Sequence, residues 1–189
     1  TMKTELHLHT TRYSGCAMNS PIASMRKLVD CGYEAVYITE HDAVWSRDEL
    51  VDLRITFPDI RIFPGVELTL DTAAFQHLLV LGTTDPAYLA LHEPAAIIEK
   101  ARDEGHLTIL AHPFRWEGAS DLLDGGPMPD AIEYHTCNHD PEMAAASYAA
   151  SKGLSLPLVN AGDVHAMDFI HRYWIDTLRP IERPEDIRD

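Results

Sequence analysis

The amino-acid sequence predicts an α/β fold, and the alternation of two kinds of segment carries this prediction. Short runs of apolar and β-branched residues recur along the chain, and segments with a helical pattern lie between several of them. This alternation is typical of parallel βα units, which wind into a barrel or an open doubly wound sheet. About seven strands within 189 residues would form a small barrel, and residues 1–189 are expected to make a single domain.

Seven runs are predicted as strands because each is short, apolar and rich in β-branched residues. These are residues 5–8, 35–39, 60–63, 77–81, 108–111, 131–134 and 156–160. Residues 20–31, 94–104 and 141–152 are predicted as helices because each has Pro at a first-turn position, and Gly follows the last two. Residues 118–129 and the tail after Arg179 are predicted as loop and surface.

Composition excludes several classes of function. The formal net charge is -15, from 15 basic and 30 acidic residues, so neither a surface for long nucleic acid nor contact with an anionic membrane is expected. No apolar run approaches the roughly eighteen residues of a membrane helix, and we expect a cytoplasmic protein. The three cysteines are widely spaced without a C-x-x-C pair, which predicts reduced thiols.

Eleven histidines are the unusual feature, and most lie where a predicted strand ends. That is where an α/β barrel places its chemistry. His7 and His9 alternate with Leu6 and Leu8, so both imidazoles should share one face of the first strand. Polar positions on an exposed strand would show the same pattern, but a parallel strand is covered on both faces, where unliganded histidines are costly. The pair therefore indicates half of a metal site.

Two more candidates follow the second and third predicted strands. His41 ends an apolar run, and Glu40 or Asp42 beside it would fix the tautomer of a ligating imidazole. Glu67 follows a predicted glycine turn at Gly65, where its carboxylate is able to bridge two cations. A solvated loop or surface position explains each of them alone, so their weight comes from their order along the chain.

The remaining candidates belong to later strands. His77 enters an otherwise apolar run, where a hydrogen-bonded core histidine is the commoner explanation. His112 ends its strand, and Arg115 after it suits bidentate contact with an anionic oxygen. Asp163 and His165 form an Asp-x-His pair after the last predicted strand, a common ligand combination. Six such clusters at successive strands predict a metal centre rather than six separate solvated positions.

With these residues in place, the sequence resembles the PHP family, named for polymerase and histidinol phosphatase. The resemblance lies in residues 5–10 (Glu-Leu-His-Leu-His-Thr), 38–42, 65–67, 111–113 and 162–165, together with His77. It implies a distorted (β/α)7 barrel, similar to a TIM barrel, that holds two or three divalent metal ions. A mixed imidazole and carboxylate ligand set suits zinc, manganese and iron.

The family pattern implies a division of the ligands among three metals. The first metal would be held by His7, His9, Glu67 and Asp163. Glu67 would bridge to a second metal, held also by His77 and His112, and a third would be held by His41 and His165. Many members carry His or Asp shortly after the H-x-H-T stretch as a further ligand of the third metal, but residues 13–16 read Tyr-Ser-Gly-Cys. Water, substrate or Cys16 would have to complete that site, and Glu5 is expected behind a ligating histidine.

The expected function is metal-dependent hydrolysis of a phosphate ester, with a phosphomonoester, a nucleotide or a short oligonucleotide as the small phosphorylated substrate. Metal-bound hydroxide would attack phosphorus, Arg115 and Arg12 would hold substrate oxygens, and Asp163 or His165 would relay the proton. One alternative is an amidohydrolase-type enzyme acting on carbon, although no lysine falls at a strand end to serve as a carboxylated bridge. Another is a non-catalytic, metal-stabilised PHP module, against which the full ligand set argues.

Overall fold

The computed structural model describes residues 1–71 and 75–189. Within them, eight strands form one sheet that curves into a nearly closed barrel. The strands are β1 (Met2–Leu8), β2 (Ala35–Ile38), β3 (Arg61–Asp71), β4 (Gln76–Leu81), β5 (Leu107–Ala111), β6 (Ala131–Glu133), β7 (Leu158–Val159) and β8 (Ile175–Thr177). The α-helices are α1 (Pro21–Asp30), α2 (Arg47–Thr56), α3 (Pro94–Asp103) and α4 (Pro141–Leu154). Short 3₁₀ helices cover Pro86–Ala90, Asp121–Asp124, Met167–Phe169 and Pro184–Arg188. The predicted α/β barrel is confirmed, with β8 in addition to the seven predicted strands.

The direction of β4 departs from the predicted parallel arrangement. Neighbours in the sheet follow the order β7-β6-β5-β4-β3-β2-β1-β8. β1 to β3 run parallel, as do β5 to β7, but β4 is antiparallel to both β3 and β5. Only residues 72–75 separate β3 from β4, too few for the crossover that parallel strands need. The start of β4 therefore lies at the barrel end where β3 and β5 finish.

The helix predictions hold for α1, α3 and α4, each of which has Pro in its first turn. α2 is absent from the sequence prediction because its apolar stripe is narrow, with only Leu50 and Leu53 buried. A signal for its start is nevertheless present, since Ser46 and Glu49 form a capping box. No helix among the described residues has the length and apolar character needed to cross a membrane.

Among residues 1–71 and 75–189, three apolar clusters form the core. One fills the interior of the barrel, because it draws residues from β1 to β6 and none from the four α-helices. Ile181, in the tail predicted to lie on the surface, belongs to this cluster and is 1% exposed, so that prediction is wrong at this position. The other two clusters pack the sheet against helices, one through Met25 and Leu50 and the other through Ile97.

Residues 181–188, which we call the closing segment, cover the barrel end at which β5 and β6 begin. The hydroxyl of Tyr37, in the barrel interior, donates to the carbonyl of Pro184 over 2.7 Å. The guanidinium of Arg188 contacts both carboxylate oxygens of Asp130 at 3.1 Å. Polar contacts thus anchor the segment from two sides, and the candidate site lies at the other end.

Candidate metal centre

The carboxylate of Glu67 is fully buried, and five imidazoles converge on it. Its Oε2 lies 3.2 Å from His7 Nε2, 3.1 Å from His9 Nε2 and 2.9 Å from His41 Nδ1. Its Oε1 lies 2.9 Å from His77 Nδ1 and 3.1 Å from His112 Nε2. Imidazoles therefore surround each of the two oxygens of the Glu67 carboxylate. This is the arrangement expected if each oxygen bound a different cation and the carboxylate bridged the two.

The backbone around Glu67 differs from the sequence prediction. β3 continues through Gly65 to Asp71, so the predicted glycine turn does not exist and Glu67 lies within a strand. Gly65 is needed for close packing, because a Cβ there would lie 3.0 Å from the Thr39 side chain and 3.1 Å from the Val80 carbonyl. The end of β2 and the neighbouring strand β4 can approach β3 closely at Gly65 for this reason.

Asp163 is the second buried carboxylate of the cluster. Its Oδ1 lies 3.3 Å from His7 Nε2, 3.4 Å from His9 Nε2 and 3.3 Å from His165 Nδ1. Asn138, which belongs to none of the predicted ligand motifs, donates an amide N–H to its Oδ2. This bond directs Oδ1 toward the histidines. All eight residues predicted as ligands thus lie in one cluster.

Some of these residues lie at the end of a parallel strand, and others at the start of the antiparallel strand β4. Both positions fall at the same end of the barrel. His7 and His9 come from the end of β1, which shifts register between Glu5 and Leu8. Leu6 consequently joins the barrel interior and Leu8 the helix-side core, which corrects the simple alternation predicted for this strand. His77 is the second residue of β4, and it reaches the same end because β4 runs in the opposite direction.

Two of the candidate ligands have an unusual backbone. His112 has φ of 27° and Asp163 has φ of 47°, both in the left-handed region that residues other than glycine avoid. Such conformations cost about 1–3 kcal/mol each and persist where the surroundings fix them. Next to Asp163, a Cβ on Gly162 would lie 2.6 Å from Glu5 Oε2, so this turn accepts no side chain. Strain of this kind concentrates at functional sites.

Glu133, at the end of β6, supports the cluster from behind. The Nδ1–H of His7 donates to Glu133 Oε1 over 2.7 Å, and the backbone N–H of His112 donates to Glu133 Oε2 over 2.7 Å. The first bond leaves the lone pair of His7 Nε2 facing Glu67 and Asp163, which is the tautomer that a metal ligand needs. The signal in the sequence is an acidic residue in an otherwise apolar predicted strand.

Ser14 orients the His9 imidazole as Glu133 orients that of His7, and Glu40 in turn orients Ser14. Its hydroxyl donates to Glu40 Oε2 over 2.5 Å, so the oxygen is free to accept from His9 Nδ1–H at 3.2 Å and from the backbone N–H of His41 at 3.1 Å. Trp45 Nε1–H donates to the other oxygen of Glu40 over 3.2 Å. Glu40 therefore acts on His9 through Ser14, and it does not fix the tautomer of His41 as the sequence predicted.

Two other acidic residues also differ from their predicted roles. Glu5 accepts backbone N–H bonds from Leu6, His7 and Gly162 at 2.7–3.1 Å. It forms no hydrogen bond with any imidazole among the described residues, contrary to the prediction. Burial raises the pKa of Glu5 to about 7. Asp42 accepts from the backbone and hydroxyl of Thr69, so it does not orient His41 either. Both carboxylates stabilise backbone around the cluster.

The electrostatics and the unpartnered atoms of the cluster fit divalent cations. Burial opposes ionisation of Glu67 and Asp163, yet the imidazole of His7 and its neighbours hold the pKa of both well below the usual range. His7 Nε2, His9 Nε2, Glu67 Oε2 and Asp163 Oδ1 are buried without a hydrogen-bond partner. Four overlapping groups of three residues bring their ligand atoms within 4.8 Å of one another. Cations bound there would satisfy these atoms and displace protons from the imidazoles.

A cavity of about 340 Å³ opens onto the cluster. Its lining comprises Cys16, His41, His77, His112, Arg115, Trp116, Asn138, Asp163, His165 and Phe169. The guanidinium of Arg115 lies 4.2 Å from the centre of the Trp116 ring and 3.9 Å from Asp163 Oδ2. Cys16 lines the cavity but belongs to none of the ligand groups found among the described residues.

Arg12, predicted with Arg115 as a substrate-binding residue, does not line this cavity. Its Nε and Nη2 donate to Glu49 Oε1 over 3.0 and 2.7 Å, and the hydroxyl of Tyr13 donates to the same oxygen. The carboxylate of Glu49 already compensates the charge of Arg12, so Arg115 is the arginine that the structure presents to the cavity.

Solved structures share this fold. A two-domain protein of Bacteroides vulgatus, described as containing a predicted PHP-like metal-dependent phosphoesterase, aligns with a TM-score of 0.65 and 18% identity. The alignment covers 87% of this chain and 52% of that protein, so the chain spans about half of its length. No protein-family profile matches the sequence, and no curated protein matches it.

Two further structures match over nearly their whole length. A Bifidobacterium adolescentis protein assigned as a metal-dependent phosphoesterase has a TM-score of 0.67 and 12% identity, with 92% of each chain covered. An amidohydrolase of Chromobacterium violaceum, with bound sulfate and no metal, has a TM-score of 0.70 and 14% identity, with 98% of this chain and 96% of that chain covered. This chain therefore has the PHP-like fold.

Proposed function

We propose that this protein is a metal-dependent hydrolase of phosphate esters and that its substrate is a small phosphorylated molecule: a phosphomonoester, a nucleotide or a short oligonucleotide. The observation that carries the proposal is a cluster of six imidazoles on two buried carboxylates, with unpartnered donor atoms, beside a cavity that contains an arginine. Divalent zinc, manganese or iron bound there would supply Lewis acidity and a water of lowered pKa.

The protein's own residues hold and orient the parts of such a centre. Glu67 offers one carboxylate oxygen to each side of the cluster, and Asp163 joins the side of His7 and His9. Glu133 holds the proton of His7 on Nδ1, so the Nε2 lone pair stays available. The centre is thereby fixed before substrate arrives, which favours catalysis over simple metal storage.

Arg115 favours phosphate over other substrates. Its guanidinium rests on Trp116, and its nearest carboxylate oxygen, on Asp163, is 3.9 Å away, too far for a direct hydrogen bond. A phosphate group at the cavity floor would present two oxygens to the guanidinium fork. His165 lines the same cavity, and Asp163 or His165 would relay the proton to the leaving oxygen.

An amidohydrolase acting on carbon is the second candidate, because one of the matching structures is described as an amidohydrolase. None of the four lysines of the chain lines the cavity, so the form with a carboxylated lysine bridge has no residue to use. Glu67 would have to serve as the bridge in that reaction as well. Substrate tests decide between the two candidates.

The test uses the 189-residue protein purified without chelator, protein stripped by chelator, and stripped protein reloaded with Mn²⁺, Zn²⁺ or Fe²⁺. We expect the native and reloaded proteins to release phosphate from phosphomonoesters, nucleotides or short oligonucleotides, and the stripped protein to release none. An equal panel of amides and lactones is the matched comparison. Metal-dependent turnover confined to that panel, or the absence of any turnover, would reject the proposal.

A further inference from the structure

The cavity beside the candidate metal centre is lined by two kinds of residue. Half of the lining residues are candidate ligands, and the others are Cys16, Arg115, Trp116, Asn138 and Phe169. The phosphate group of a substrate would lie against the ligand cluster and the guanidinium of Arg115. The organic part of the substrate would then lie along the remaining side chains, and their chemistry determines which organic group the cavity accepts.

These remaining side chains offer few partners to a group rich in hydroxyls. Asn138 has one amide N–H engaged with Asp163 Oδ2, and the thiol of Cys16 forms only weak hydrogen bonds. A polyol chain would leave most of its hydroxyls unpaired by the lining residues that are not candidate ligands, and removing unpaired hydroxyls from water opposes binding. The lining therefore disfavours a phosphate ester of a polyol.

Aromatic rings extend outward from the ligand cluster. Trp116 meets the ring of His112 edge to face, with ring centres 5.4 Å apart and planes at 89°. The ring of Phe75, which is 49% exposed, lies 5.2 Å from that of Trp116. The guanidinium of Arg115 rests on the same Trp116 ring, so the group suited to phosphate is directly beside this aromatic surface.

Phe169 adds an aromatic ring from another part of the chain. It is the last residue of the 3₁₀ helix Met167–Phe169, and it lines the same cavity as Trp116. Any apolar group that contacted these two rings would gain from leaving water. An aromatic group would gain in addition from ring–ring contact, as bases do when they stack on aromatic side chains.

We infer that the alcohol part of the substrate carries an aromatic ring and that Trp116 and Phe169 contact this ring. The inference rests on the proposed function, because it concerns the group that is esterified to the phosphate. A nucleobase and a simple aryl group would both satisfy the chemistry of the lining. The two rings thus determine specificity, while the ligand cluster and Arg115 act on the phosphate.

Two pairs of esters test the inference on protein loaded with Mn²⁺. Adenosine 5′-monophosphate and ribose 5-phosphate share a primary alcohol and differ by the base, whereas 2-phenylethyl phosphate and 2-cyclohexylethyl phosphate differ in the aromaticity of one ring. We expect kcat/KM to be about tenfold higher for the aromatic member of at least one pair. The pair that shows the difference distinguishes a nucleobase from a simple aryl group. No preference in either pair would overturn the inference and leave the proposed function intact.

Variants of the two rings test where the preference arises. We expect Trp116→Leu and Phe169→Leu each to lower kcat/KM for the preferred aromatic ester by about five- to tenfold and to leave its non-aromatic partner within about twofold. General damage to the centre would instead lower both esters together with the metal content. Trp116→Phe retains a ring and should recover most of the preference. An unchanged preference in both leucine variants would overturn the inference.

Phe57→Leu is the matched control, because Phe57 lines a different cavity beside the closing segment. We expect it to keep the preference of the wild type. If no ester is cleaved, calorimetric titration of both pairs into the Mn²⁺-loaded protein separates the two proposals. Tighter binding of an aromatic member would refute the proposed function and retain the ring contact, whereas equal binding or no binding would overturn both.

Discussion

The two ends of the barrel use polar residues in opposite ways. At the closing segment, Tyr37 and Arg188 pair with groups placed to satisfy them. At the other end, His7 Nε2 and Glu67 Oε2 are buried among polar atoms without a hydrogen bond. Buried polar groups without partners oppose folding by about 1–3 kcal/mol each. The comparison shows that the first end contributes stability, while the second is arranged for a ligand that the chain itself does not supply.

The strongest test of this contrast is Glu67→Gln. The substitution removes the charge on which five imidazoles converge, and loss of one partner of a buried charge pair destabilises the fold by about 3–5 kcal/mol. We expect elemental analysis to find the metal lost and phosphate release to vanish. Glu142→Gln, on the exposed start of α4, is the control. Full metal content in Glu67→Gln would show that the cluster is not the metal site.

A sharper test compares two carboxylates at opposite ends of the short strand β6, one on its last residue and one on the residue before its first. Glu133 supports His7 at the metal end, and Asp130 pairs with Arg188 at the closing end. We expect Glu133→Gln to weaken metal binding by about 10- to 100-fold, because it loosens the orientation of a ligating imidazole. Asp130→Asn should lower the unfolding free energy without changing metal affinity. Competition with a fluorescent chelator measures affinity, and equal losses in both variants would contradict the contrast.

A smaller effect is expected on KM, and it should distinguish Arg115 from Arg12, the two arginines that follow candidate ligands in the sequence. Arg115 lines the cavity, and loss of a charge-assisted hydrogen bond of about 1.5–3 kcal/mol should raise KM by roughly 10- to 100-fold in Arg115→Ala. Arg12→Ala should stay within about twofold, because Glu49 already pairs with Arg12. Steady-state kinetics on the ester that the wild type cleaves fastest gives KM for both variants. A larger rise of KM in Arg12→Ala than in Arg115→Ala would restore the predicted role of Arg12 in substrate binding.

The smallest expected effect belongs to the closing end. Tyr37→Phe removes the hydrogen bond to the Pro184 carbonyl and should lower the unfolding free energy by about 0.5–1.5 kcal/mol. Metal content and kcat/KM should not change, since the site lies at the other end. Urea unfolding followed by circular dichroism gives the first quantity. A fall in metal content without a change in stability would mean that the two ends are coupled.

The sequence predicts the candidate ligands better than it predicts their supports. Ligands such as His112 and Asp163 follow strands, and strand ends are visible in a sequence as the place where an apolar run stops. The supports are not visible in the same way: Glu133 and Asn138 contact the cluster only after distant strands pair, as the separation of His7 and Glu133 by 126 positions shows. Short-range periodicity contains no information about such contacts.

The direction of β4 and the course of β3 escape prediction for a different reason. Apolar alternation gives the extent of a strand but not its direction, and β4 is as apolar as a parallel strand would be. The residue type of Gly65 predicts a turn, yet the glycine serves close packing inside a strand. The barrel class depends on neither detail, which is why it could be predicted.

The reversal of β4 also bears on the order in which the centre assembles during folding. Glu67 and His77 lie ten positions apart on paired antiparallel strands, and such hairpins form in about 1–10 μs. His7 and Asp163 come from opposite ends of the chain and meet only when β1 and the region after β7 close the barrel. We therefore expect refolding to complete the part around Glu67 and His77 first and the part around Asp163 last.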